Sequence, residues 1–111
     1  MGLPVLLLTT KGRKSGASRT SPLMYLPRGE NFVVIASYLG EPRHPAWFLN
    51  LSAEPTADVQ IGKVHHRVRA REAEGAEREE LWRSVVAKTP DYVEYQKRTS
   101  RRIPVVVLEK Q

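Results

Sequence analysis

The sequence predicts an α+β domain in which an antiparallel, barrel-like sheet of about six strands carries two or three helices on its outside. Three observations predict it. Strand-length apolar runs recur along the chain, separated by short turns rich in Gly, Pro and Ser. Two later segments switch to helical spacing. A length of 111 residues leaves room for one hydrophobic core, so every element must share it, in a single domain over 1–111.

Val5–Thr10 opens as a strand that is apolar on both faces, which predicts cover on both sides. A Gly/Ser/Lys-rich stretch over 11–18 interrupts it. Arg19–Leu26 resumes as a strand and is ended by Pro27-Arg28-Gly29. Phe32–Ala36 is rich in β-branched residues and leads into Ser37-Tyr38-Leu39-Gly40. The short connections predict that these three runs form an antiparallel meander. Pro45–Leu51 reads as a short helix with Pro45 in its first turn.

Ala57–Ile61 and Val64–Ala73 read as a hairpin around Gly62-Lys63. In the second strand Val64, His66, Val68 and Ala70 share one face, and His65, Arg67, Arg69 and Arg71 the other, the pattern of a half-buried strand. Ala76–Lys88 sets Leu81, Trp82, Val85 and Val86 at helical spacing with its charges outside. Thr89 and Pro90 then read as the N-cap and first residue of another helix, which carries Tyr92 and Tyr95. Ile103–Leu108 closes the sheet, with Pro104 near its start, where a missing N–H donor is tolerated.

Composition removes several classes of function. With no cysteine there is no disulfide, thiolate zinc site, iron–sulfur cluster or thiol nucleophile. His44, His65 and His66 do not form a metal set, since His65 and His66 fall on opposite faces of one strand. The expectation is no metal. Pro4–Leu8 is too short to span a bilayer and follows no basic segment, so the expected location is the cytoplasm.

The net charge of +6 is unevenly placed. Lys11, Arg13, Lys14, Arg19 and Arg28 all precede the first acid, Glu30, and the rest of the chain is close to neutral. A local surplus suits a discrete anion better than a nucleic-acid surface.

Four segments are candidates for chemistry. In Thr9-Thr10-Lys11-Gly12-Arg13-Lys14-Ser15-Gly16, followed by Arg19, the glycines let backbone approach a ligand and the cations suit phosphate or carboxylate oxygens. The spacing is not that of a P-loop, and a solvated turn is the plain alternative. Ser37-Tyr38-Leu39-Gly40 ends a buried-looking strand, either as a simple turn or as a ligand contact. Asn50, among the apolar residues of Pro45–Leu51, is a candidate polar contact, whereas Trp47 and Phe48 suit core. Tyr92 and Tyr95, three apart on one helix, suit either core-edge packing or a pair of pocket hydroxyls.

Taken in order, these segments resemble one family. The run from Leu6 through Thr9-Thr10-Lys11-Gly12-Arg13-Lys14-Ser15-Gly16, Arg19 and Pro22-Leu23 is followed by Val33–Ser37 and Pro45–Leu51. Ala70-Arg71-Glu72, Leu81-Trp82, Pro90–Gln96 and Arg102–Val106 complete the series. The chain resembles the deazaflavin (coenzyme F420)-dependent nitroreductase family from Val5 to Glu109. The resemblance implies an antiparallel split β-barrel of the FMN-binding type, with the cofactor's phosphate and glutamyl tail in a basic region.

Carried over by position, Arg13, Lys14 and Arg19 would hold the anionic tail and phosphate, with Ser15 and Gly16 also binding the cofactor. Ile35, Ser37, Ala46, Trp47 and Asn50 would line the deazaflavin groove. Tyr92, Tyr95 and Ser37 would be the catalytic residues facing the acceptor. The sequence departs from the family pattern at Thr89, where nitroreductase members have tyrosine, and at Met24, where they have an aromatic. A longer N-terminal segment of the family also has no counterpart here.

The resemblance implies an F420-dependent reductase that passes a hydride to a small electron-poor acceptor: a quinone, an activated alkene or a nitroaromatic. Coenzyme F420 is the expected cofactor and FMN the less favoured one. The state is monomer or homodimer, and a lipid quinone would bring peripheral membrane contact. One rival is an FMN- or haem-binding barrel, or a cofactor carrier without reductase activity. Another is a nucleic-acid module using 11–19 and 97–102, but neither basic run has interleaved aromatics to stack on bases.

Overall fold

The computed structural model describes residues 2–111. Seven strands form one antiparallel sheet: β1 (Val5–Lys11), β2 (Ser18–Met24), β3 (Leu26–Arg28), β4 (Asn31–Ile35), β5 (Thr56–Ile61), β6 (Val64–Glu72) and β7 (Val105–Lys110). Three helices accompany them: α1 (Ala46–Ala53), α2 (Gly75–Lys88) and α3 (Asp91–Arg98). A single 3-10 turn covers Tyr38–Gly40. The order across the sheet is β2-β1-β5-β6-β7-β4-β3.

That order closes the barrel. β2 and β3 lie on opposite edges of the sheet, yet only Tyr25 separates them in sequence. The sheet must therefore curl until its two edges meet at Tyr25, whose N–H donates to the Pro4 carbonyl at 2.9 Å. The ring of Tyr25 sits edge-on to Phe32, with centroids 5.6 Å apart. Away from this corner the edges part, and the gap is the split of the barrel.

Two cores follow from the strand period of two. Leu6, Leu8, Val34, Val59, Val68 and Leu108 point into the barrel, where Trp47 and Leu51 of α1 plug one end. Val33, Ile35, Val105 and Val107 point outward under Leu81, Val85 and Tyr92 of α2 and α3. β4 and β7 are thus buried on both faces, as their unbroken apolar sequences require.

Several expectations are corrected. The run Arg19–Leu26 is two strands, because the chain must leave one sheet edge for the other at Tyr25. The first three runs are not a meander: β4 pairs with β3 and β7 and does not pair with β2. β1 is covered on one face only, with Leu6 and Leu8 fully buried while Val5 and Leu7 are exposed. Thr89 does not cap α3 with its hydroxyl. The residue preceding α3 is Pro90, and Thr89 instead offers its backbone carbonyl to the Tyr92 N–H at 3.4 Å.

The hairpin of β5 and β6 around Gly62 and the helix α2 lie where the sequence places them, while the closing strand begins two residues late, after Pro104, and Val64 at the start of β6 is exposed.

Candidate functional site

The β1–β2 hairpin carries the basic loop. Its turn is closed by two short backbone bonds, Gly12 N–H to the Ala17 carbonyl and Gly16 N–H to the Gly12 carbonyl, each 2.8 Å. Gly16 has a φ of +75°, which a side-chain-bearing residue rarely adopts.

The loop is tied to α1 by Asn50, which is only 3% exposed. The Asn50 Oδ1 accepts from the Arg13 backbone N–H at 3.2 Å and from its guanidinium at 2.9 Å. The Asn50 amide in turn donates to the buried Thr10 hydroxyl at 3.2 Å. The one polar residue in the apolar Pro45–Leu51 segment is therefore the bolt that fixes the loop against the helix.

Between this loop and α1 lies a cavity of about 580 Å³. Arg13, Lys14, Ser15 and Arg19 line one side, and Ala46, Trp47 and Asn50 the other. No acid lines it, and none of the three cations is ion-paired among the described residues. The first amides of α1, at Ala46 and Trp47, have no intrahelical acceptor and add to the positive field. The chemistry of this half is that of an anion site.

Ser21, Ala46 and Trp47 also line a second cavity of about 530 Å³, so the two form one continuous groove. This second half is apolar. Pro22, Leu23 and Met24 of the β2 edge face Ile35 at the end of β4, with Leu39 and Tyr92 completing it. The groove therefore follows the split of the barrel away from the Tyr25 corner.

Tyr92 is 5% exposed, and its hydroxyl pKa is pushed up to about 12, first by burial and then by Tyr95. At neutral pH it is a protonated donor, never a base. Ser37 lines the same half, and Tyr38 and Leu39 beside it are both in the left-handed region, at φ 47° and 55°.

Most residues singled out by sequence come together here. Arg13, Lys14, Ser15, Arg19, Ala46, Trp47 and Asn50 line the basic half, and Ile35, Ser37 and Tyr92 line the apolar half. Two do not line the groove. Gly16 sits behind the hairpin, beside Lys11 and Ser18. Tyr95 lies behind Tyr92, edge-to-face at 5.8 Å, and backs the Gly40 turn.

Sequence reasoning missed Thr20 and Ser21 as lining residues, whereas Tyr38 and Leu39 fall in the Ser37–Gly40 segment it singled out as a turn or a ligand contact. The β2 residues qualify only because β2 is an edge, which no local pattern announces. A basic, anion-ready half joined to an apolar half along the split of such a barrel defines a flavin- or deazaflavin-type oxidoreductase.

Comparison with known proteins narrows that class. Residues 1–110 match the family described as F420H(2)-dependent quinone reductase, and the chain belongs to this family. A Mycobacterium tuberculosis protein, provisionally named an F420H(2)-dependent quinone reductase, is 40% identical over 106 residues, 96% of this chain and 89% of that one.

The solved structure of an F420-H2 dependent reductase, FDR-A, superposes with a TM-score of 0.87 at 43% identity, covering 98% of this chain and 96% of that one. A structure described as a domain-swapped dimer gives the same score and identity over 98% and 82%. A FAD-binding protein of Mesorhizobium loti, 16% identical with a TM-score of 0.64 over 97% and 81%, shares the fold alone.

Proposed function

We propose that this chain carries a hydride from reduced coenzyme F420 to a quinone, with Arg13, Lys14 and Arg19 holding the cofactor's anionic tail. The reading is carried by the groove, which joins three unpaired cations at one end to an apolar chamber with a buried tyrosine at the other. A cofactor with an anionic tail and a flat aromatic ring fits both halves at once. When bound, the reduced deazaflavin supplies the hydride.

The protein's residues do the rest. Asn50 holds Arg13 toward the tail, so the loop's charge is placed before binding. Ile35, Ala46 and Trp47 exclude water from the ring. Negative charge develops on the acceptor oxygen as the hydride arrives, and in this reading the Tyr92 hydroxyl, kept protonated by burial, donates to it. Ser37, which lines the same half, is a second donor. Activated alkenes and nitroaromatics, which also gather negative charge on an oxygen, are secondary acceptors.

The direct test has two arms. Purified protein is titrated with coenzyme F420 and with FMN, and oxidation of the reduced F420 is followed with quinones, enones and nitroaromatics. Tighter binding of F420 and fastest turnover with quinones are expected. Preference for FMN would contradict the tail role of Arg13 and Lys14 and would favour the flavin-binding rival.

The domain-swapped relative supports a homodimer for this chain, tested by light scattering against the 12.6 kDa monomer. No helix among the described residues is long and apolar enough to cross a membrane. A cytoplasmic enzyme using a lipid quinone would meet the membrane through the exposed Met24, Tyr38 and Leu39 at the groove mouth. Co-sedimentation with vesicles, before and after Leu39→Ser, tests that contact.

A further inference from the structure

We infer that Arg101 is a positioning residue for hydride transfer, an inference that rests on the F420-dependent reading: its guanidinium sets the backbone of the Ser37–Glu41 turn that walls the apolar half of the groove. Arg101 lies in the link between α3 and β7 and does not line the groove itself. Its Nε donates to the Glu41 carbonyl at 2.9 Å. One terminal nitrogen donates to the Ala36 carbonyl at 3.1 Å and to His44 Nδ1 at 3.2 Å, and the other to the Ser37 carbonyl at 2.7 Å. One side chain thus grips both ends of the turn.

The turn needs such a grip. Tyr38, Leu39 and Gly40 are three consecutive residues at positive φ, two of them bearing side chains that disfavour it. Nothing in their sequence would choose that path unaided. Arg101 fixes the carbonyls on either side of the stretch, and the Gly40 backbone is pressed against the Tyr95 carbonyl of α3. Ser37, Tyr38 and Leu39 then line the apolar half of the groove together with Tyr92.

Arg101 is itself held, because Gln96 of α3 donates to its carbonyl at 2.8 Å and accepts from the Ile103 N–H at 3.0 Å. The helix that carries Tyr92 and the turn that carries Ser37 are therefore tied through one planar fork. A lysine, with a compact point charge, cannot span three carbonyls set at different angles.

The test compares the unaltered protein with Arg101→Lys. Amide hydrogen exchange is read without cofactor, the Kd for coenzyme F420 by titration, and kcat and KM with a soluble benzoquinone. Exchange at Gly40 and Glu41, whose N–H groups bond back to Ser37 and Tyr38, is expected to speed up about tenfold or more. The kcat is expected to fall by roughly 10- to 100-fold, because small misplacements across a reacting pair cost that much, while Kd stays within about threefold.

Unchanged kcat with faster exchange would overturn the positioning role and leave a structural one. Parallel losses in kcat, Kd and melting temperature would overturn it too. If Arg101→Lys does not fold, Gln96→Met, which frees the Arg101 carbonyl, decides: the same split at smaller size supports the role, and unchanged kcat overturns it. A native protein that neither binds F420 nor oxidises its reduced form overturns the functional reading first, a result readily told apart from normal turnover in the variant.

Discussion

At Tyr92, burial and the neighbouring Tyr95 both oppose ionisation, so the hydroxyl stays a donor across the working pH range. Tyr92→Phe should lower kcat by on the order of 10²-fold while coenzyme affinity barely moves, since the lost donor acts on developing charge. Lys14→Ala should do the reverse, weakening F420 binding roughly tenfold through one charge-assisted contact at modest cost to kcat. Equal loss of cofactor affinity in both variants would contradict the division of labour.

His44 gives a residue-scale prediction in pH. Its Nδ1 accepts from Arg101, which has no lone pair to offer in return, so the ring must be neutral there. Burial first, then the Arg101 charge, lower its pKa below 6.5, with Glu72 opposing. The unfolded chain therefore takes up its proton before the folded one as pH falls. Stability from this group is intact above about pH 6.5 and declines below it. The Tm should fall on acidification through that point, and His44→Gln, which keeps an acceptor that does not titrate, should flatten the fall.

At the scale of elements, the turn between β4 and α1 and the β1–β2 hairpin place the two halves of the groove by different means. The hairpin's glycines, cations and Asn50 were legible as a possible anion site because each residue type has a local reason to be there. The turn was legible as a candidate segment, but its backbone path was not. Tyr38 and Leu39 have no preference for positive φ, and the Arg101 that holds them is over 60 residues away.

A glycine comparison tests this. Gly40 has a φ of +80°, and a Cβ there would lie 2.6 Å from the Tyr95 carbonyl oxygen and 2.9 Å from Arg98 Cβ. Gly40→Ala should therefore cost about 2–3 kcal/mol and lower Tm by roughly 10 °C or more. Gly62, at φ +60° with open space around it, bears only the backbone cost, so Gly62→Ala should cost about 1 kcal/mol. Equal costs by thermal melting would mean that the Gly40 contact is not tight.

At the scale of the whole molecule, the sequence disclosed the content of the barrel better than its closure. Alternation marked β6 as half-buried and the unbroken apolar run marked β4 as buried, because burial writes itself into local pattern. The jump at Tyr25 from one sheet edge to the other left no such mark, since β2 and β3 read as one strand. Yet that jump makes the groove, and it makes the groove a junction of four parts of the fold: the β1–β2 hairpin, the start of α1, the end of β4 and α3.

A ligand spanning both halves should therefore stabilise the molecule as a unit. Coenzyme F420 at a hundred times its Kd should add about 2.7 kcal/mol, which for a domain of this size raises Tm by about 10 °C. FMN, lacking the long anionic tail, should raise it less at the same concentration. Lys14→Ala should cut the F420 shift at fixed concentration, and Tyr92→Phe should keep it. A larger shift with FMN, or an F420 shift indifferent to Lys14, would place the ligand somewhere other than along the split.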